Sequence, residues 1–208
     1  MKKSQPYKTE GTLFVISAPS GAGKSTLCRE LLRKVLRIKL SVSYTTRPPR
    51  RGEINDVHYT FVSREKFKSM IDRGEFAEWA VVHGNLYGTS LKRLKKLNKE
   101  GYDIILDVDV QGAGQLRKTC TNAVYVFVLP PSMKVLKKRL MDRNTEETDK
   151  IKQRLDRARD EIAAYKDYDY IIVNDKLEKA YRELESVIVS TRLETKNADR
   201  QMIKSLLK

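Results

Sequence analysis

Cysteine, histidine and long apolar runs are all scarce in this sequence. Only Cys28 and Cys120 occur, far apart and without metal-ligand spacing. That excludes a disulfide framework and a zinc site, and both are expected to be plain buried thiols. The two histidines, His58 and His83, lack any serine or carboxylate arrangement suited to acid/base work, so both read as structural. Leu13 to Ala18 is too short for a signal-peptide core or a membrane span, although Met1-Lys2-Lys3-Ser4-Gln5-Pro6 carries a signal-like charge. The expectation is a soluble, cytoplasmic protein. No internal repeat or low-complexity segment is present.

Acidic residues are also in deficit: 42 Lys and Arg against 27 Asp and Glu leave a formal net charge of +15. Clustered positive charge is what a nucleic-acid backbone selects. Here the basic residues are spread along helical stretches such as Lys92 to Lys99 and Lys134 to Arg143, beside acids, which reads as solvated faces. Specific nucleic-acid binding is not expected. With 208 residues, 40% of them hydrophobic, one core carrying inserted pieces is expected.

Gly11 to Ser17 is an uninterrupted β-branched and aromatic run ending in a Pro/Gly-rich loop, the pattern of a buried parallel strand. Leu27, Leu31, Leu32 and Val35 recur at helical spacing, predicting a helix from Lys24 to Ile38. Ile104-Ile105-Leu106, Val124 to Leu129 and Tyr170 to Val173 read as further central strands separated by helical patterns. The alternation predicts an α/β fold, a doubly wound parallel sheet whose ligands gather outside the strands' carboxyl ends. Between Ser41 and Ser90 the texture changes to short alternating segments, Val57 to Val62 and Phe76 to Val82, with turns at Arg51-Gly52 and His83-Gly84-Asn85. This predicts a small mixed α+β insert with its own sheet, its core made by Tyr59, Phe61, Phe67, Phe76 and Trp79. Arg139 to Arg157 is densely charged with almost no apolar stripe, so a mobile helical lid is expected there. Leu177 to Leu193 reads as an amphipathic helix packing on the core, and the tail after Thr195 carries no motif. The resulting division is a core at 1–41, 91–138 and 158–208, an insert at 42–90 and a lid at 139–157.

Ser17-Ala18-Pro19-Ser20-Gly21-Ala22-Gly23-Lys24-Ser25-Thr26 sits between the first strand and the first helix, where a P-loop must lie. Its small residues let backbone N–H groups wrap phosphate oxygens, Lys24 reaches the β/γ-phosphates, and Ser25 can ligate Mg²⁺. Ala18 to Thr26 are therefore the ATP-binding candidates. The pattern G-x-x-x-x-G-K-[ST] wants glycine where Ala18 stands, so Ala18 must adopt backbone angles that tolerate a Cβ. Asp107 and Asp109 flank Val108 at a strand's carboxyl end and point to opposite sides of the sheet, so they cannot share one job. Capping of the next turn is the alternative for one of them.

The P-loop alone does not name a reaction. Ser43-Tyr44-Thr45-Thr46-Arg47-Pro48-Pro49-Arg50-Arg51-Gly52-Glu53, His58-Tyr59, Glu78-Trp79-Ala80 and Gly84-Asn85-Leu86-Tyr87-Gly88-Thr89 closely resemble the guanylate kinase family. Asp107-Val108-Asp109-Val110-Gln111-Gly112 and Ile172-Val173-Asn174-Asp175 extend the resemblance, which runs from about Leu13 to Leu193 in family order. It implies Mg-dependent phosphoryl transfer from ATP to GMP, with those two nucleotides as partners; a monomer or weak homo-oligomer is expected.

By the same resemblance Arg47, Arg50, Tyr59 and Tyr87 hold the GMP phosphate, for which guanidinium forks and phenol hydroxyls are chemically suited. Glu78 reads guanine N1–H and the exocyclic amine, while Ser43 and Thr89 face O6. Adenine would offer that carboxylate a lone pair instead of a proton. Thr89 stands where the family can have serine, and both supply a hydroxyl. Asp107 is implied near the guanine and the metal, and Asp109 near the Mg²⁺ water shell or in neighbouring supporting hydrogen bonds. Arg139, Arg143 and Arg154 match arginines that close over the transferring phosphoryl group, with a solvated helix face as the plainer reading. Asn144 replaces the glycine usual after the second arginine, which bears on lid flexibility. Asn174 lies where the adenine-side loop passes the ATP base, and capping of the next helix accounts for it equally well. The implied catalytic set is Lys24, Arg47, Arg139, Arg143 and Arg154. Intact Lys24, Ser25 and the lid arginines argue against a non-catalytic protein-binding relative. Glu78 with Ser43 and Thr89 argues against a P-loop kinase for another phosphorylated acceptor.

Overall fold

The computed structural model describes residues 11–82, 84–143 and 148–208, without the side chains of 143 and 148–150. His83, Asn144, the Arg143 side chain and the signal-like start lie outside the described residues. Apolar β1 (Leu13–Ser17) leads through the glycine-rich loop into α1 (Lys24–Lys34). The helix stops short of the predicted Ile38. Val35 turns extended, Arg37 takes φ 58°, and Ile38 enters a short strand, β2 (Ile38–Leu40), that the apolar spacing had concealed. Then come β3 (Tyr44–Thr45), β4 (Thr60–Phe61), α2 (Arg64–Asp72), β5 (Phe76–Val82), β6 (Asn85–Ser90) and α3 (Leu91–Lys99). The chain continues with β7 (Asp103–Asp107), α4 (Val110–Thr119), β8 (Val124–Leu129), α5 (Met133–Arg143) and α6 (Thr148–Ala163). It closes with β9 (Tyr170–Val173), α7 (Leu177–Leu193) and α8 (Arg200–Leu206), the last capped by Asp199 where the sequence carried no motif.

The larger sheet has the order β2-β7-β1-β8-β9, every neighbour parallel, with Leu13 opposite Ile104 and Phe14 opposite Val124. Because side chains alternate along a strand, β1 feeds two cores. Phe14 and Ile16 join Leu27 and Leu31 of α1 and Leu184 and Ile188 of α7; Val15 joins Leu94 of α3 and Leu116 of α4. Each fully buried aliphatic side chain contributes roughly 1.5–3 kcal/mol, which is what holds helices on both faces.

Residues between β2 and α3 form the second, mixed sheet, ordered β4-β3-β6-β5. Its core is smaller than the five aromatics expected. Phe67 and Phe76 stack at 4.5 Å, but Trp79 is 38% exposed, because along β5 Glu78 and Ala80 point inward and Trp79 and Val81 outward. The strand predicted from Val57 to Val62 shrinks to Thr60–Phe61, since Asp56 to His58 is a turn, with Asp56 at φ 60°, closed by a bridge between Asn55 and Tyr59. The charged stretch from Arg139 to Arg157 does bury apolar side chains: Leu140 and Ile151 are buried, and Leu155 packs on a cluster that joins Leu140 to the flanking Leu136 and Ala158. Cys28 is buried as expected, whereas Cys120 is only partly so. No helix among the described residues is long and apolar enough to cross a membrane.

Candidate active site

The order of the large sheet reverses at β1, and the loops leaving its carboxyl edge there converge as such switch points require. Gly21 and Gly23 take φ 93° and 95°, and a Cβ on Gly23 would stand 2.3 Å from Asn174 Nδ2. Glycine is demanded at Gly23 by both angle and space. Ala18 shows no positive φ, which is how it fills a position usually given to glycine. Pro19 O accepts from Ala22 N at 3.0 Å, closing the loop. Ala22 O in turn accepts from buried Asn174 Nδ2 at 2.8 Å and from Arg139 Nη1 at 3.3 Å. Arg139 also donates to Asn174 O at 2.9 Å. Asn174 therefore braces the loop. It does not cap α7, whose N-cap is Lys176 without a side-chain bond.

Lys24 opens α1 and reaches across to the end of β7, where Nζ lies 2.5 Å from Asp107 Oδ1 and donates to Val108 O at 2.7 Å. Burial works against its charge, but Asp107 outweighs that and raises its pKa above the ordinary lysine value. Ser25 is exposed in the helix's first turn and Thr26 half-buried. Asp109 caps α4, its Oδ1 accepting from Gly112 N at 2.8 Å. The two acids are thus divided as their opposite directions required, one facing the lysine and one capping. From α6, Arg154 donates to Ser20 Oγ at 3.0 Å and Glu161 accepts from Ser20 N at 3.3 Å. Burial raises the Glu161 pKa, which the Ser20 bond partly offsets.

Residues from the mixed sheet build the facing wall. Arg47 is held on three sides: Nε donates to Tyr87 Oη at 3.2 Å, Nη1 to Pro48 O at 2.8 Å, and Nη2 to both Glu53 oxygens at 2.7 and 2.9 Å. Glu53 also accepts from Arg50 N at 2.7 Å, so one carboxylate sets the loop that carries both arginines. Its only signal in the sequence is an acid six residues after Arg47. The Arg50 side chain is exposed. Tyr59 stands edge-on to Tyr87 at 5.8 Å, and burial pushes its phenol up to about 12, so it stays a donor at neutral pH.

Glu78 faces inward from β5, just after a slip in pairing between Phe76 and Glu78 that re-aims the strand. It is 5% exposed, and its cross-strand partner Thr89 donates Oγ1 to Oε1 at 2.6 Å. Burial drives its pKa up to about 7; the Thr89 bond opposes the rise, and the negative charge of Asp109 adds to it. Ser43 is half-buried just before β3, where its carbonyl accepts from Thr60 N at 2.9 Å. A separate cleft of about 950 Å³, lined by Leu13, Asn98, Ala123 and Asp199, lies at the opposite, amino end of β1 and β8, away from this chemistry.

Residues 10–191 match the family model for guanylate kinase. A guanylate kinase of Geobacter metallireducens is 51% identical over 188 residues, covering 90% of this chain and 93% of that protein. One from Clostridioides difficile is 45% identical over 186 residues, 89% and 91% of the two chains. The crystal structure of guanylate kinase from Anaplasma phagocytophilum superposes with a TM-score of 0.78 at 32% identity, covering 95% of each chain. By sequence and by structure, the chain belongs to the guanylate kinase family, enzymes that transfer a phosphoryl group to a nucleoside monophosphate.

Proposed function

We propose that this chain carries the γ-phosphoryl group of Mg·ATP to GMP, giving ADP and GDP, with Glu78 choosing the acceptor. The observation that carries the proposal is the Glu78 carboxyl: 5% exposed, bonded to Thr89, and under the electrostatic influence of Lys24 and Asp109. A buried carboxyl with capacity left on its second oxygen suits a base edge that presents two N–H groups. Guanine does so and adenine does not. Both donors favour the ionised form, so GMP binding lowers a pKa that burial had raised.

The acceptor needs no catalytic base, because a phosphomonoester is already ionised near neutral pH with a second pKa of about 6. Arg47, Arg50, Tyr59 and Tyr87 hold its phosphate, and Ser43 and Thr89 attend O6. The nest of Ala18 to Thr26 and Lys24 hold the ATP phosphates, braced by Asn174. Arg139, Arg143 and Arg154 gather charge on the transferring group, so catalysis is positioning and electrostatic stabilisation. Ser25 and Asp107 offer hard oxygen donors beside the loop, Asp109 stands next to them, and Mg²⁺ takes few protein ligands when nucleotide and water complete its shell. When bound, the ion neutralises charge on the ATP phosphates. Residues 139–157 serve as a lid and 42–90 as the acceptor-binding unit, whose closure excludes water. The reaction belongs in the cytoplasm, where both nucleotides are found. A coupled ADP-release assay with Mg·ATP and GMP, AMP, CMP or UMP tests the reading. Turnover confined to GMP is expected, and preferred use of another acceptor defeats it.

A further inference from the structure

Helix α4 meets the Glu78 side chain and its strand at two positions one turn apart. The first is Gly112. A Cβ built there would stand 2.5 Å from Glu78 Oε2 and 3.1 Å from Glu78 Cδ. Backbone geometry does not explain a glycine at this position, since Gly112 is helical and does not take a positive φ. Alanine is the better helix former. What glycine supplies is room for one carboxylate. Gly114, two residues on, has open space at the same point, so the crowding is particular to Gly112.

The second position is Gln115. Its Oε1 accepts from Trp79 N at 3.2 Å and its Nε2 donates to Trp79 O at 2.7 Å. The amide thus adds a two-bond rung to β5, the outermost strand of its sheet, at the residue next to Glu78. Gly112 limits where the carboxylate sits, and Gln115 fixes the backbone from which it projects. Both belong to the helix that Asp109 caps and that follows Asp107, so the acceptor base is registered against the phosphate site through one rigid element.

We propose that Gly112 and Gln115 are specificity-determining positioning residues, seating Glu78 for the guanine edge without touching the nucleotide. The proposal rests on the reading of Glu78 as the guanine-selecting group. Because the atom a Cβ at Gly112 would strike is Glu78 Oε2, the far end of a side chain and not backbone, the carboxylate gives way against its Thr89 bond while the fold stays. Function and stability are thereby separated.

The test compares Gly112→Ala, Gly114→Ala and Gln115→Ala with Glu78→Gln in the full chain, reading kcat, both KM values and melting temperature. IMP, which keeps N1–H and O6 but lacks the 2-amino group, serves as the probe of register. Gly112→Ala should melt at or above the wild-type temperature and raise the GMP KM by roughly tenfold or more, with the ATP KM within about twofold. Its preference for GMP over IMP should fall. Gly114→Ala should leave the kinetics alone. Gln115→Ala should raise the GMP KM by about two- to tenfold, the range of one net hydrogen bond. If Gly112→Ala and Gln115→Ala both behave like Gly114→Ala while Glu78→Gln cripples GMP use, the positioning role is wrong and the reading of Glu78 stands. If Glu78→Gln also spares GMP, both fall. Should Gly112→Ala not accumulate as folded protein, Gln115→Ala, a surface change, decides on the same KM criterion.

Discussion

Replacing Glu78 by glutamine should make this protein more stable and a poorer GMP kinase at once. Burial raises the carboxyl from 4.5 to about 7. The folded state therefore holds an extra proton between those values, and folding stability falls as pH rises through that window. At pH 8 the group is ionised, at a cost on the order of 3 kcal/mol. Glutamine is nearly isosteric, stays neutral, and still accepts the Thr89 hydroxyl bond seen at 2.6 Å. For a chain of this length the relief corresponds to a melting point roughly 6–12 °C higher at pH 8. The gain should shrink to about a quarter of that at pH 5 and vanish below about pH 4.5, where the carboxyl is protonated in the folded and unfolded states alike. Meanwhile the amide N–H₂ would meet guanine N–H donors, lowering kcat/KM for GMP by roughly 10³-fold or more while ATP affinity holds. Differential scanning calorimetry between pH 5 and 8, with steady-state kinetics on the same samples, measures both. A variant no more stable than wild type at pH 8, or one with unaltered GMP kinetics, refutes the assignment.

Three other substitutions probe the remaining parts. Lys24→Ala should cut transfer by roughly 10²-fold or more while the protein stays folded by circular dichroism, because Asp107, its partner, retains 28% exposure and can be hydrated. Asn174→Ala leaves Ala22 O with only the longer Arg139 bond, so it should cost about 1–2 kcal/mol in urea unfolding and raise the ATP KM more than the GMP KM. Glu53→Gln loosens the paired grip on Arg47; the GMP KM should rise about three- to tenfold, with little change for ATP, and an unchanged GMP KM would show that Arg47 needs no such anchor.

Much of this arrangement was legible because its chemistry is local. A strand buried on both faces must be apolar throughout, so Leu13 to Ser17 and Val124 to Leu129 announce themselves, and the loop from Ser17 to Thr26 is tied to them by chain order. What was hidden depends on partners distant in sequence. Ile38 continues the helical spacing of α1, and only its pairing with Asp103 makes it a strand residue. Trp79 has the composition of a core residue, yet the alternation that turns Glu78 inward necessarily turns Trp79 out. Asn174 stands in sequence where it could cap the next helix, but its amide is bonded to Ala22 O, 152 residues earlier. Gly112 was part of a recognised motif, and its use became visible only when Glu78 was seen above it.

The most direct measurement is a competition in one tube. Wild-type protein, Mg·ATP and equal amounts of GMP and AMP are followed by ³¹P NMR. The account predicts GDP and ADP appearing in step while AMP persists until GMP is spent. AMP consumed alongside GMP, or inorganic phosphate accumulating in place of GDP, would contradict it.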